Sequence, residues 1–258
     1  MDKQKGALVT GGGQGIGEAI CKRLAKDGFA VAVSDINLDN ATRVANDIIA
    51  SGGKAFAIQV NVASRTDVTK AVEAAYAAFG DFNVMVNNAA ICPESDFATV
   101  TEEDYKKIYD INVGGVIWGC QAASNKFKAL GHGGAIINAT SQAGVDGYPG
   151  LALYSSTKFA VRGITQTLGR DLAPFGINVN AYAPGIVVTP MLEGLADRMA
   201  AEAGEDRQWA LKSFEGAIAQ RKVTPAEQIA SGVSFLASED SKAMVGQTLI
   251  IDGGMVYN

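Results

Sequence analysis

The chain has 258 residues, of which 48% are hydrophobic and 19% charged, and this composition excludes an intrinsically disordered protein. Its formal net charge of −5 lacks the positive field by which proteins bind nucleic acids or anionic membranes, so we expect no partner of either kind. One histidine and three widely separated cysteines disfavour a metal site, a Ser-His-Asp triad and a disulfide framework, and they suit the reducing cytoplasm.

Short apolar runs alternate with helical patterns along nearly the whole chain. Strands are predicted at 6–10, 30–35, 55–60, 84–87, 135–138, 177–181 and 248–251. Helices are predicted at about 15–27, 38–51, 65–79, 102–130, 151–172 and 226–236, with a break near Asn112. Because strands that are apolar throughout are typical of sheets covered on both faces, we predict an α/β fold with a doubly wound parallel sheet of about seven strands.

No repeat, low-complexity segment or Pro/Ser-rich linker divides the chain, so we predict one domain over residues 1–258. Residues 189–223 depart from the strand–helix pattern and predict one or two inserted helices. Because this segment follows Pro184-Gly185 at a strand end, we interpret it as a lid over a ligand. The alternative is a surface insertion without a role.

The first predicted strand is followed by the glycine-rich stretch Thr10–Gly17. Glycines there permit positive φ and a close approach to a pyrophosphate, and the first N–H groups of the next helix attract phosphates. The spacing fits TGxxxGxG at Gly11, Gly15 and Gly17 rather than GxGxxG, and Glu18-Ala19 stands where a phosphate-loop NTPase needs Lys-Ser/Thr. A tight turn without a ligand is the alternative.

Asp35 ends the second predicted strand, 20 residues after Gly15. A carboxylate at this place accepts hydrogen bonds from an adenosine ribose and repels the extra phosphate of NADP. No lysine or arginine lies between Lys26 and Arg43 to bind that phosphate, so we predict NAD rather than NADP. An ordinary solvated aspartate is the alternative.

Tyr154 and Lys158 stand at i and i+4, hence on one face of a predicted helix. A phenol titrates near pH 10, and a neighbouring ammonium stabilises the phenolate and lowers that pKa. The pair therefore predicts a general acid/base that needs no histidine. The alternative is a surface tyrosine beside a solvated lysine.

Three further polar features are uninformative alone. Ser141 follows the fifth predicted strand, where its hydroxyl could hydrogen-bond a substrate carbonyl, and Asn112 could merely mark a helix kink. Asn87-Asn88 ends the fourth strand, where amides commonly tie turns together. We interpret His132, which lies among glycines, as a solvated loop residue rather than a catalyst.

In this order and spacing, the motifs resemble those of the short-chain dehydrogenase/reductase superfamily over essentially residues 6–254. The resemblance implies a Rossmann-like fold and NAD(P)-dependent oxidoreduction. It implies that Tyr154 is the general acid/base and that Lys158 lowers its pKa and holds the nicotinamide ribose. By the same resemblance, Ser141 polarises the carbonyl and Asn112 holds a water that relays protons.

The resemblance also implies a set of cofactor-binding residues. Val187 and Thr189 would hold the carboxamide, and Asn61, in place of the usual aspartate, would accept a hydrogen bond from adenine. The full set is Gly11, Gln14, Gly15, Ile16, Gly17, Asp35, Asn61, Val62, Asn88, Tyr154, Lys158, Pro184, Gly185, Val187 and Thr189.

Longer stretches, among them 115–119, 154–163 and 251–258, resemble the acetoin/diacetyl reductases, also called 2,3-butanediol dehydrogenases. This resemblance implies NADH-dependent interconversion of diacetyl, acetoin and butanediol by a homotetramer. Four residues are expected to shape the substrate pocket: Ser141, Gln142, Tyr148 and Leu192. The alternatives are a reductase of 3-oxoacyl, sugar or polyol substrates and a catalytically silent NAD sensor, which the intact catalytic residues disfavour.

Overall fold

The computed structural model describes residues 4–93 and 97–257. Over these residues one parallel sheet has the strand order β3-β2-β1-β4-β5-β6-β7. Its strands are β1 (Gly6–Thr10), β2 (Ala30–Asp35), β3 (Ala55–Gln59), β4 (Val84–Asn87), β5 (Gly134–Ala139), β6 (Ile177–Pro184) and β7 (Thr248–Ile251). The predicted doubly wound sheet is therefore confirmed.

Helices cover both faces of the sheet, as predicted. They are α1 (Gly15–Lys26), α2 (Leu38–Ala50), α3 (Arg65–Phe79), α4 (Glu102–Tyr109), α5 (Gly115–Leu130), α6 (Ala152–Leu172), α7 (Pro190–Ala203), α8 (Arg207–Gly216) and α9 (Ala226–Leu236). Alternate side chains of each strand supply the two cores: Val9 and Val33 pack with α1, α2 and α9, whereas Leu8 and Met85 pack with α3, α5 and α6.

The helix boundaries follow local capping chemistry. The side chains of Asn37 and Ser64 accept backbone N–H groups at the starts of α2 and α3, and Thr101 forms a capping box with Asp104 at the start of α4. Helix α3 ends at Gly80, whose φ of 78° suits a residue without a side chain. Such caps explain why the sequence pattern located these helix ends within a residue or two.

Strand β6 differs from the sequence prediction, and two further features add detail to it. Strand β6 continues beyond the predicted end at residue 181 to Pro184, because Tyr182 and Ala183 pair with β7 and are fully buried. The predicted break near Asn112 is a π-helical turn at Asp110–Gly114 that separates α4 from α5. Short 3₁₀ helices at 97–99, 142–144, 173–175 and 239–241 were not predicted.

Residues 189–223 contain two helices, α7 and α8. These helices contact each other through Ala196, Ala200 and Ala210, and a second small apolar cluster joins Leu192 to Ile218 and Val223. The role of this segment as a lid, and the extent of one domain over 1–258, stay predictions.

The strand order reverses direction between β1 and β4, because β2 and β3 lie on one side of β1 and β5 to β7 lie beyond β4. In open α/β sheets the carboxyl ends of strands at such a point form the ligand-binding crevice. The residues that follow β1, β4, β5 and β6 therefore define where a site is expected.

Among the described residues, the structure has no helix that is both long and apolar enough to cross a bilayer.

Candidate active site

The glycine loop after β1 has the backbone that its sequence predicts. Gly11 and Gly15 have φ of 62° and 55°, which disfavour any side chain, and a Cβ on Gly17 would overlap the Gly11 carbonyl. Gln14 precedes α1 in an extended conformation, and its side chain makes no cap hydrogen bond to that helix. The first-turn amides of α1 thus face the crevice without a side-chain cap, which suits a phosphate group.

Asp35 lies beside this loop at the end of β2. Its Oδ2 accepts the Gly13 N–H at 2.9 Å and its Oδ1 accepts the Asn37 N–H at 3.0 Å. A Cβ on Gly13 would lie 2.8 Å from both Asp35 Oδ2 and Asn40 Cβ, so the missing side chain keeps space beside the carboxylate. That space and that acceptor fit an adenosine ribose.

No lysine or arginine lies between Lys26 and Arg43 in the sequence, but Arg43 itself approaches this place in the fold. Arg43 Nη2 on α2 donates to the Gly13 carbonyl oxygen at 3.0 Å. The first turn and a half of α2 brings Arg43 back over the loop, a proximity that spacing from Lys26 to Arg43 along the chain does not reveal. Glu18 pairs with this guanidinium.

Asn88, at the end of β4, connects the loop to the centre of the sheet. Its Nδ2 donates to the carbonyl oxygens of Thr10 and Gly11 at 2.9 and 3.1 Å. Its Oδ1 accepts the hydroxyl of Tyr182 at 2.8 Å, and Tyr182 is fully buried. Sequence reasoning missed Tyr182, although a phenol within the otherwise apolar end of β6 was a usable signal.

Tyr154, Ser141 and Lys158 meet at the carboxyl end of β5. Tyr154 lies close enough to Ser141 for the serine hydroxyl to act on its phenol, and Ser141 Oγ accepts the Ala143 N–H at 3.1 Å. The Lys158 ammonium lies 5.5 Å from the centre of the Tyr154 ring and donates to the Ala139 carbonyl oxygen at 3.0 Å. Lys158 is 2% exposed, so the alternative that it is a solvated surface lysine is wrong.

The expected role of Lys158 in lowering the pKa of Tyr154 stays a prediction. Burial raises the pKa of the Tyr154 phenol and the nearby Cys92 adds to the rise, whereas the hydrogen bond with Ser141 opposes it. Burial likewise lowers the pKa of Lys158 to about 8. The arrangement therefore keeps the tyrosine protonated at neutral pH.

Asn112 lies in the π-helical turn and is completely buried. Its Oδ1 accepts the Ile91 N–H at 2.9 Å, and its Nδ2 donates to the Ile91 carbonyl oxygen at 2.9 Å and to Thr157 Oγ1 at 3.1 Å. These contacts tie the chain after β4 to α6, next to Lys158. A proton relay through a water at Asn112 stays a prediction.

The chain after β6 approaches the glycine loop from the opposite side. A Cβ on Gly15 would lie 3.2 Å from Thr189 Cγ2, and Thr189 caps α7 by accepting the Leu192 N–H. Pro184 ends β6, and Gly185 donates to the Ile251 carbonyl oxygen at 3.1 Å. Val187 is buried and bridges to Thr224.

The remaining predicted cofactor residues are less directly placed. Asn61 is exposed, and its Oδ1 accepts the Ala63 N–H at 3.1 Å, which leaves one lone pair for another donor. Val62 is buried against Gly115, and Ile16 is half-buried against the core.

The three expected pocket residues other than Ser141 have different environments. Gln142 is 9% exposed, and its Oε1 has no hydrogen-bond partner among the described residues. Tyr148 is 46% exposed on the turn before α6. Leu192 is buried in the apolar cluster with Ile218 and Val223, so ordinary packing accounts for its position.

His132 lies at the opposite, amino end of the sheet. Its Nε2 is 2.9 Å from Asp81 Oδ1 and its Nδ1 is 2.6 Å from the Gly133 carbonyl oxygen. It is half-buried rather than solvated, which corrects the predicted environment. Its place confirms that it does not belong to the group around Tyr154.

Comparison with known proteins gives this geometry its family. The model of the short chain dehydrogenase family matches residues 5–200. Over 257 residues the chain is 54% identical to a diacetyl reductase, (S)-acetoin forming, of Staphylococcus aureus, with 100% of both chains covered. It is 44% identical over 256 residues to the L-2,3-butanediol dehydrogenase of Corynebacterium glutamicum, with 98% of this chain and 99% of that one covered.

A solved structure gives the same result. The crystal structure of sorbitol-6-phosphate 2-dehydrogenase from Erwinia amylovora matches with a TM-score of 0.92 at 27% identity, covering 98% of this chain and 100% of that one. The glycine loop, the Asp35 carboxylate and the fold fit a nicotinamide dinucleotide cofactor. The family match and the full-length similarity show that the chain belongs to the short-chain dehydrogenase family.

Proposed function

We propose that this chain interconverts diacetyl, acetoin and 2,3-butanediol with NAD as its cofactor. The observation that carries the proposal is the meeting of Tyr154, Ser141 and Lys158 at the carboxyl end of β5. The substrate class rests on full-length similarity to a diacetyl reductase and a butanediol dehydrogenase. The names of these two relatives favour (S)-acetoin and the L-diol as products.

The crevice residues divide the binding of the dinucleotide among them. The first-turn amides of α1, with Gly15, Ile16 and Gly17, would hold the pyrophosphate. Asp35 would hold the adenosine ribose, and Lys158 the nicotinamide ribose. The carboxamide would lie against Val187 and Thr189. When bound, the cofactor supplies or accepts the hydride.

Tyr154 supplies the proton in our proposal. Its hydroxyl donates to the carbonyl oxygen of the substrate, while the Ser141 hydroxyl donates a hydrogen bond to the same oxygen. Because the pKa of Tyr154 is raised, the phenol carries its proton at neutral pH and is ready for reduction. Oxidation needs that proton removed, so its rate should rise toward alkaline pH.

The preference for NAD rests on the Asp35 carboxylate, which would repel a phosphate on the ribose. The buried Gln142 supports a pocket for a small oxygenated substrate, because its Oε1 can accept a hydroxyl hydrogen. Tyr148 is the second pocket residue that we propose.

We also propose a homotetramer in the cytoplasm. Ile117 on α5 and Phe159 on α6 are 39% and 44% exposed, and such apolar side chains favour contact with a second copy. Cys21 and Cys120 are buried thiols, which suit a reducing compartment.

The function is tested by the loss of NADH absorbance with diacetyl, acetoin, a 3-oxoacyl thioester and a sugar ketone. We expect turnover of diacetyl and acetoin and a clear preference for NADH over NADPH. A strong preference for the thioester or the sugar would support the alternative reductases. Saturable NADH binding without turnover of any carbonyl would support the silent sensor.

A further inference from the structure

Two side chains of opposite charge bind the N–H and the carbonyl group of one loop residue, Gly13. The Asp35 carboxylate accepts the Gly13 N–H at 2.9 Å. The Arg43 guanidinium donates to the Gly13 carbonyl oxygen at 3.0 Å. The Arg43 cation therefore contacts the same residue as the Asp35 carboxylate, which we assign to the adenosine ribose.

This guanidinium is engaged by Glu18 on α1. Arg43 Nη1 lies 3.0 Å from Glu18 Oε1 and Arg43 Nη2 lies 2.6 Å from Glu18 Oε2, a bidentate pair. Lys22 Nζ also contacts Glu18 Oε1 at 2.7 Å, and Asp47 Oδ2 lies 3.6 Å from Arg43 Nη1. Among these groups, Glu18 makes the shortest contact with Arg43.

The pair is permanent over any ordinary assay pH, yet it is not buried. The hydrogen bond from Arg43 lowers the pKa of Glu18 to about 2 despite partial burial, so the carboxylate stays charged. The Arg43 side chain is 49% exposed, which leaves it room to turn toward solvent. Guanidinium groups bind phosphate in the same forked geometry as they bind carboxylate.

We propose that Glu18 is a specificity-determining residue for the cofactor, because it occupies the Arg43 guanidinium beside Gly13 and so makes that group unavailable to a phosphate on the adenosine ribose. Asp35 repels that phosphate, and Glu18 prevents Arg43 from offsetting the repulsion. This inference rests on the proposed dinucleotide site and deepens it.

The test compares two small probes, adenosine 2′,5′-bisphosphate and adenosine 5′-monophosphate, by calorimetry. Removing Glu18 frees Arg43, so Glu18→Gln should improve the bisphosphate-to-monophosphate affinity ratio about three- to ten-fold on an Asp35→Ser background. Adding Arg43→Met should abolish the gain. Adding Lys22→Met instead should leave the gain in the affinity ratio intact. Turnover with NADPH should rise and fall among these variants as that ratio does.

Glu73→Gln is the matched control, since Glu73 forms an exposed pair with Lys126 at 2.6 Å on α3 and α5. It should not change the ratio. An unchanged ratio in Glu18→Gln, both alone and with Asp35→Ser, overturns the inference, as does a gain that survives Arg43→Met. If the wild type bound neither nucleotide, the dinucleotide site itself would be refuted. Absence of diacetyl turnover with normal nucleotide binding contradicts only the proposed substrate.

Discussion

The two ends of the same sheet carry their polar groups in different ways. At the carboxyl end, Asn112, Asn138 and Lys158 are at most 2% exposed, and each is bonded to backbone or to another buried side chain. At the amino end, Asp81 and His132 pair with each other while half-buried. The contact between Asp81 and His132 thus lies at the other end of the sheet from the group around Tyr154.

The largest difference between the two ends should follow Lys158→Met. This change keeps the apolar stem and removes the buried cation beneath Tyr154, so we expect kcat/KM for diacetyl to fall at least about 10²-fold. Thermal stability should not fall. Burial lowers the pKa of Lys158 to about 8, which means that the folded state disfavours its charge, and the change removes that charge. Lys242→Met, at the exposed amino-end surface, is the control and should change neither quantity.

A moderate effect is expected at Tyr182, which contacts no substrate. Tyr182→Phe leaves Asn88 Oδ1 without its donor and loosens the glycine loop, so KM for NADH should rise about three- to ten-fold. The value of kcat should change less than KM. Tyr105→Phe on the surface of α4 should leave both constants unaltered, and an equal fall of kcat in the Tyr182 variant would argue against a positioning role.

The smallest effect is expected at the amino end. Burial raises the pKa of Asp81, but hydrogen bonds from Phe82, His132 and Asn83 outweigh it and the net pKa is lowered. A lowered carboxyl pKa stabilises the fold above its ordinary value of about 3.9, and this stability is lost as pH falls.

His132→Gln should therefore leave turnover unchanged and cost less than about 1 kcal/mol at neutral pH. Urea unfolding should show that the cost shrinks as the pH falls below about 4. A large loss of activity in this variant would place chemistry at the amino end and refute the comparison.

The sequence predicted the sheet well because most strands are short apolar runs and several helices, among them α2, α3 and α4, begin at a capping side chain. It also predicted the positions of Tyr154, Lys158 and Ser141, since strand ends and an i, i+4 spacing place side chains without long-range information. Strand β6 was predicted too short because Tyr182 and Pro184 resemble loop residues until β7 pairs with them.

The sequence did not reveal how buried these side chains are or which groups they contact across the fold. Arg43 reaches Gly13 only because α2 folds back over the loop, and the pKa of Tyr154 rises because burial removes part of its hydration. Both depend on tertiary packing. Spacing along the chain reports neither distance across the fold nor burial.

The central claim is that Tyr154 donates the proton. The most direct measurement is single-turnover reduction of diacetyl by Tyr154→Phe, with NADH binding measured in parallel. We expect NADH affinity within about three-fold of wild type and a rate at least about 10²-fold lower, because the ring remains and only the proton donor is lost. A rate equal to that of the wild type would contradict the account.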